Sequence, residues 1–267
     1  MKNVVITGST RGIGHGLARE FLKRKCHVII TGRSQQQVDE KVAELSADYG
    51  DENVAGTTCE VTSFDSLSAL WDFAAAKFGS VDIWINNAGM SIERANLCDQ
   101  QPGDIEAIVN TNLTGMLLAN KVAIAGMKRQ GSGQIWNMEG FGSGGQTAPG
   151  MAPYGATKSA VTYLIKALQK EIKDTGIQVC TLSPGIVVTD LLLGDYDLAS
   201  PEWQKTKKIL NILGDKVETV TPYLADGILK ADKTGSKVAW LTSRKAFLRF
   251  LTAAFKKRDL FADIEGA

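Results

Sequence analysis

With 267 residues, 44% of them hydrophobic and 22% charged, the chain is long enough to bury one large core and has a globular composition. Its formal net charge of +1 gives it no global attraction for nucleic acid or acidic partners, so neither is expected. Four scattered cysteines (Cys26, Cys59, Cys98 and Cys180), with only His15 and His27 to join them, form no metal-ligand spacing and read as reduced thiols. Val4-Val5-Ile6 follows Met1 so closely that no signal peptide is expected, and no apolar run nears the ~20 residues of a membrane span.

Val4-Val5-Ile6 breaks into Thr7-Gly8-Ser9-Thr10-Arg11-Gly12-Ile13-Gly14, and helical spacing of Leu17, Ala18, Phe21 and Leu22 follows over 15–25. Strand, glycine turn and helix make a phosphate-binding arrangement, because glycine lets the backbone approach a pyrophosphate at the positive end of the helix. The spacing is Gly-x-x-x-Gly-x-Gly, and a glycine-rich turn without a ligand is the plain alternative. A second strand, 27–31, ends in Gly32-Arg33-Ser34, where an NAD-binding chain would carry an acidic side chain for the ribose hydroxyls. Arg33, together with Arg11 and with Thr10 and Ser34 adjoining them, suits a 2′-phosphate, so NADPH is the expected dinucleotide. Solvated surface charge is the other reading of both arginines.

Residues 35–49 read as a helix, and 54–61 as a third strand ending in Cys59-Glu60-Val61-Thr62. A helix over 63–78 and a fourth strand over 81–85 follow, the strand running into Asn86-Asn87-Ala88-Gly89. Strands at 134–138 and 177–182 and an edge strand at 237–242 continue the rhythm. Such alternation predicts an α/β chain: a single-domain, Rossmann-like doubly wound parallel sheet of about seven strands flanked by helices, with its ligand beyond the strand carboxyl ends.

Between the fifth and sixth strands lies Tyr154-Gly155-Ala156-Thr157-Lys158. On a helix this spacing puts phenol and ammonium on one face, and a cation nearby pulls a tyrosine from its ordinary pKa of roughly 10 towards the working pH. Such a tyrosine can protonate a carbonyl oxygen while a hydride reaches the carbon. Alone, the pair is also what a solvated helix surface carries.

Together these motifs resemble a short-chain dehydrogenase/reductase of the NADPH-using type, from Lys2 to about Thr189. The resemblance implies that Gly8, Gly12, Ile13 and Gly14 line the pyrophosphate and that Asn86, Asn87, Ala88 and Gly89 flank the adenine ribose and steady the central strand. Glu60, beside Val61, stands where the family has an aspartate for the adenine amino group. Asn112 matches the asparagine that holds a water in the proton relay behind the lysine, and Tyr154 and Lys158 serve both catalysis and cofactor. The loop Ser183-Pro184-Gly185-Ile186-Val187-Val188-Thr189 would pass over the nicotinamide, with backbone near Ile186 or Val187 and the Thr189 hydroxyl on the carboxamide. A homodimer or homotetramer is implied too. The family's carbonyl-binding serine is missing: its position is Gly140, in Glu139-Gly140-Phe141-Gly142-Ser143-Gly144-Gly145. Losing such a donor can cost ~100-fold in rate, so Ser143 is expected to replace it, with Glu139 contributing only if protonated or through water.

That loop, with Ile83-Trp84-Ile85-Asn86-Asn87-Ala88-Gly89 and Thr189-Asp190-Leu191-Leu192-Leu193, is similar to the chlorophyll(ide) b reductases. This narrower resemblance implies reduction of a ring formyl group to hydroxymethyl, in a plastid stroma or at a thylakoid surface for a processed chloroplast chain, or in the cytoplasm for a bacterial-like one. Residues 190–212 carry Leu191, Leu192, Leu193, Tyr196, Leu198 and Trp203, an apolar insertion expected to form a substrate lid. Residues 244–261 read as a basic amphipathic helix that lies on an anionic membrane, a second subunit or the core. The expected substrate is a hydrophobic carbonyl compound. A fatty, terpenoid or steroid ketone or aldehyde, and a catalytically silent NADPH-binding regulator, are the alternatives.

Overall fold

The structure, a computed structural model, describes residues 1–194, 196, 198–253, 255 and 258–263. Its elements run β1 (Asn3–Ile6), α1 (Gly12–Lys23), β2 (His27–Gly32), α2 (Gln35–Tyr49), β3 (Val54–Thr58), α3 (Phe64–Phe78), β4 (Ile83–Asn86), α4 (Pro102–Val109), α5 (Gly115–Gln130), β5 (Gly133–Met138), α6 (Ala152–Glu171), β6 (Ile177–Ser183), β7 (Val187–Val188), α7 (Asp190–Leu193), α8 (Pro201–Leu213), β8 (Asp215–Lys216), α9 (Val217–Lys230), β9 (Lys237–Ala239) and α10 (Ser243–Thr252). The main sheet has seven parallel strands in the order β3-β2-β1-β4-β5-β6-β9, and β7 pairs with β8 in a separate two-stranded sheet. Chain order reverses at β1, so the crevice beyond the carboxyl ends of β1 and β4 is the ligand position of a doubly wound sheet.

Successive strand residues serve opposite faces. Val4 and Ile6 of β1 pack with Leu17 and Phe21 of α1 and Leu224 and Ile228 of α9. Val5 of the same strand joins Trp71 of α3, Ala123 of α5 and Val161 of α6 on the other face. Burial on both faces explains why the strands read as continuous apolar runs. Burial also raises Cys59 and Cys180 to about 11, which keeps both thiols protonated.

Several expected elements are shorter than the sequence suggests, among them the edge strand, which ends at Ala239 and not at 242. β3 stops at Thr58, because Glu60 begins a turn in which the Ser63 N–H bonds Glu60 O, and Ser63 then caps α3. The tail helix stops at Thr252, not 261. Past it the chain doubles back, because Arg258 reaches Asp215 and Phe261 is buried against Trp203. Residues 254, 256 and 257 of that expected helix, and 195 and 197 of the insertion, lie outside the described residues.

Candidate active site

Gly8 (φ 64°) and Gly12 (φ 56°) take the left-handed turn that only glycine adopts freely, which lifts the loop away from β1. Ser9 fixes it from below, donating to Ile6 O and accepting the Thr31 N–H, both at 2.8 Å. From the β4 side, Asn87 Nδ2 donates to Thr7 O and Gly8 O at 2.9 Å, while Thr7 Oγ1 accepts the Asn87 and Ala88 N–H groups at 3.0 Å. Close approach completes the cradle: a Cβ on Gly14 would lie 2.5 Å from Gly8 O, and one on Gly8 3.0 Å from Ala88 Cα. The turn is thus held open at the amino end of α1, the geometry that suits a pyrophosphate. Opposite it stands the loop after β6, where Thr189 caps α7 and its Cγ2 would lie 3.5 Å from a Cβ on Gly12. Pro184, Gly185 and Val187 lead into it, Val187 being pinned by its pairing with Asp215.

The two arginines are not brought together. Arg33 is exposed just past β2, beside Thr10, whose Cγ2 would lie 2.8 Å from a Cβ on Gly32. Arg11 pairs with Asp190 at 3.6 Å, both side chains being solvated. Ser34 uses its hydroxyl to cap α2. Glu60 is also turned inward: its Oε1 accepts from Thr62 N at 3.1 Å and Thr62 Oγ1 at 3.0 Å.

Tyr154 and Lys158 share one face at the start of α6, with Lys158 Nζ 5.7 Å from the centre of the Tyr154 ring. Lys158 is buried, and desolvation pulls its ammonium from 10.5 down to about 8. Its Nζ donates to Met138 O at 3.4 Å. Asn112 lies in a π-turn, Asn110–Thr114, and is buried. Both ends of its amide hold Met90: Oδ1 accepts from Met90 N and Nδ2 donates to Met90 O, each at 2.8 Å. Nδ2 also donates to Thr157 Oγ1 at 3.4 Å, which ties the π-turn to the helix bearing Tyr154 and Lys158.

Ser143, expected at the substrate carbonyl, has other partners in the structure. Its hydroxyl donates to Lys158 O and accepts from Gly140 N, both at 3.1 Å, so its proton is spent bracing the loop against α6. Glu139 is diverted as well, its carboxylate lying 2.7 Å from Lys237 Nζ on the edge strand. What stands next to the phenol is Gly140 itself. A Cβ there would lie 2.5 Å from the Tyr154 hydroxyl and 3.0 Å from Lys158 Cε.

Three features escaped the sequence reading. One is a buried amide chain under the site: Trp84 Nε1 donates to Asn86 Oδ1, Asn86 Nδ2 to Asn137 Oδ1, and Asn137 and Asn120 exchange bonds. Its only sequence signal is an asparagine in each of two apolar strands, Asn86 and Asn137, which the register makes neighbours. Another is Arg94 in the loop after β4, with its guanidinium carbon 4.4 Å from the Tyr196 ring centre. The third is the state of the apolar insertion. Leu192, Leu193, Tyr196 and Leu198 pack with Trp203, Leu210 and Phe261 in a satellite core.

Comparison with known proteins agrees with this geometry. The model of the short chain dehydrogenase family matches residues 2–195. A probable chlorophyll(ide) b reductase, NYC1, chloroplastic, of Arabidopsis thaliana is 37% identical over 278 residues, covering 98% of this chain and 55% of that protein. The chlorophyll(ide) b reductase NOL, chloroplastic, of Oryza sativa subsp. japonica is 36% identical over 267 residues, covering 98% of this chain and 75% of that protein. This chain therefore spans little more than half the length of the first relative. Among solved structures, ElxO with NADP bound superposes with a TM-score of 0.74 at 29% identity, covering 89% of this chain and 96% of that one. A family match that runs from β1 to just past α7, on a sheet ordered as a dinucleotide fold, makes this chain a member of the short chain dehydrogenase family.

Proposed function

We propose that the protein is an NADPH-dependent carbonyl reductase whose substrate is the formyl group of chlorophyll(ide) b, reduced to hydroxymethyl. The substrate assignment is carried by the 36–37% identity to chlorophyll(ide) b reductases over 98% of the chain. NADPH fits the cradle, since the glycine turn is open at a helix amino end and no acidic side chain follows β2. Gly8, Gly12, Ile13 and Gly14 would hold its pyrophosphate, and Thr10, Arg33 and Ser34 its 2′-phosphate, with Arg11 assisting once it leaves Asp190. Val61, Asn87, Ala88 and Gly89 would flank the adenosine, and Glu60 would reach it only by releasing Thr62. Pro184, Gly185, Val187 and Thr189 would line the nicotinamide. The cofactor, when bound, supplies the hydride.

The chain's own residues supply the proton and the geometry. Tyr154 gives its phenolic proton to the carbonyl oxygen, which becomes the new hydroxyl. Lys158, buried below it, favours the phenolate that remains. Asn112 fixes the π-turn beside Lys158; because Met90 occupies its amide, a relay water would be carried by the main chain of that turn. Gly140 gives the Tyr154 hydroxyl its room, so the carbonyl has Tyr154 as its side-chain donor and a broad, flat ring meets no side chain at position 140. The satellite core of α7 and α8 acts as the lid, and the enzyme works as a homodimer or homotetramer.

We further propose that α10 rests on an anionic lipid surface. Its outward side chains Phe247, Leu248, Phe250 and Leu251 are 49–63% exposed and Phe255 is 90% exposed. Exposed Arg244 lies at the head of that face, and Lys205 and Lys208 are exposed on neighbouring α8. No helix among the described residues is long and apolar enough to cross a membrane. A plastid location, as in the names of the two relatives, would bring such a surface to the pigment. The decisive experiment is incubation with NADPH and chlorophyllide b, with chromatography of the product. A hydroxymethyl product that is absent with Tyr154→Phe supports the reading, and reduction of small ketones alone refutes the pigment.

A further inference from the structure

Arg94 sits where three segments of the substrate side meet. It belongs to the loop leaving the carboxyl end of β4, the loop that Asn112 clamps at Met90. A Cβ on Gly150, four residues ahead of Tyr154, would lie 3.2 Å from Arg94 Cβ, so this loop packs on the entry to α6. On the other side its guanidinium lies over the ring of Tyr196, which packs on Trp203 of the satellite core at 5.3 Å between ring centres.

Among the described residues no carboxylate meets the charge of this residue. Among the described residues the Arg94 guanidinium has no ion pair and no hydrogen bond, and its Nε is buried without an acceptor. Other half-buried arginines here are saturated: Arg24 bonds Glu20 and Asp226, and Arg249 and Arg258 both bond Asp215. An arginine stays charged throughout the accessible pH range, and a buried N–H without an acceptor is both rare and costly. With its carbon over the Tyr196 ring, the guanidinium has N–H groups without an acceptor, which suit a planar, two-oxygen group.

We propose that Arg94 is a carboxylate-binding subsite: the substrate carries, away from its reacting carbonyl, a free acid that the guanidinium receives edge-on. The proposal rests on the reading of Tyr154 as the carbonyl's acid but not on the pigment. Applied to the pigment it makes a choice, because chlorophyllide b has a free propionate where chlorophyll b carries an ester. The acid is the substrate, and the ester is a poor one.

The test measures kcat and KM for chlorophyllide b and for its methyl ester at saturating NADPH. Wild-type protein should favour the acid by about 10-fold or more in kcat/KM, the worth of one charge-assisted pair. Arg94→Gln should erase that preference through KM for the acid, bringing kcat/KM for the acid down to that for the ester, and Arg94→Lys should restore part of it. Equal use of acid and ester by the wild type overturns the subsite, as does an Arg94→Gln loss that falls on both alike. Should neither pigment be turned over, the pigment reading fails by itself. The same criterion then applies to calorimetric binding of para-formylbenzoate and its methyl ester to the NADP⁺-loaded protein.

Discussion

The hydroxyl of Tyr154 lies 2.5 Å from where Gly140 would carry a Cβ. Real Cβ atoms do not come that close to a neighbour, so a side chain at 140 requires the Tyr154 phenol to shift from this position. Gly140→Ser, which restores the hydroxyl that the wider family uses, should therefore lower kcat by about 10-fold to 100-fold, the usual consequence of displacing a catalytic group by an ångström. NADPH affinity, read by fluorescence titration, should stay within about twofold, since the cradle of Gly8–Gly14 is elsewhere. Wild-type turnover by Gly140→Ser would show that the site has room for both.

Tyr154→Phe removes the proposed proton donor and leaves the ring. Turnover should fall by about 100-fold or more, with NADPH binding retained, because general acid catalysis is worth that much and Lys158 remains. Stopped-flow oxidation of bound NADPH separates chemistry from binding. Full activity in this variant would take Tyr154 out of the mechanism.

Lys158 gives the pH dependence. Burial draws its ammonium down to about 8, and in the proposed mechanism that charge supports proton donation by Tyr154. The reductive kcat/KM should accordingly fall as pH rises through about 8, a limb belonging to the Tyr154–Lys158 pair as a unit. Stability runs the other way. The folded chain binds this proton less tightly than the unfolded one, so between about 8 and 10.5 stability rises with pH, and outside that window Lys158 adds no slope. Lys158→Met should flatten the stability rise, measured as the denaturant midpoint against pH, and abolish turnover.

Much of this was legible in the chain because its signals are local. A strand, a positive-φ turn and a helix are written within residues 4–25, and the apolar runs of a buried parallel sheet announce themselves. Tyr154 and Lys158 needed only a helix to meet. Long-range commitments were not legible. Nothing in Glu139-Gly140-Phe141-Gly142-Ser143 says that Ser143 turns to the carbonyl of Lys158 or that Glu139 finds Lys237 about a hundred residues on. The divergence of Arg11 from Arg33 likewise depends on Asp190, which only the fold brings near.

That divergence ranks the arginines. Arg33 has no ion pair among the described residues, whereas Arg11 already meets Asp190, an exposed pair of the kind worth about 0–1 kcal/mol. Arg33→Ala should weaken NADPH by about 10-fold and leave NADH unchanged, since one charge-assisted contact is worth roughly 1.5–3 kcal/mol. Arg11→Ala should cost less. Equal affinity of the wild type for the two dinucleotides, by the same titration, would contradict the assignment to NADPH.

The tail offers a last prediction, because α10 is amphipathic in an unusual sense. Its inward cation, Arg249, bonds buried Asp215 together with Arg258 and the Trp240 indole, while the large apolar side chains face out. That triple clamp fixes the helix, so the apolar face is presented by a rigid support and not by a frayed end. Five large apolar side chains between 247 and 255 are more than an isolated surface carries without a use. With Arg244 on the same face, the partner we propose for both chemistries is an anionic bilayer. The protein should co-sediment with vesicles of phosphatidylcholine and phosphatidylglycerol, weakly with phosphatidylcholine alone, and lose binding at high salt only in part, since apolar burial is not screened. Phe247→Glu with Phe250→Glu should abolish sedimentation while NADPH affinity and the denaturant midpoint stay close to wild type. If those variants instead convert a dimer to monomers in light scattering, with no lipid binding by the wild type, the face belongs to a second copy of the chain.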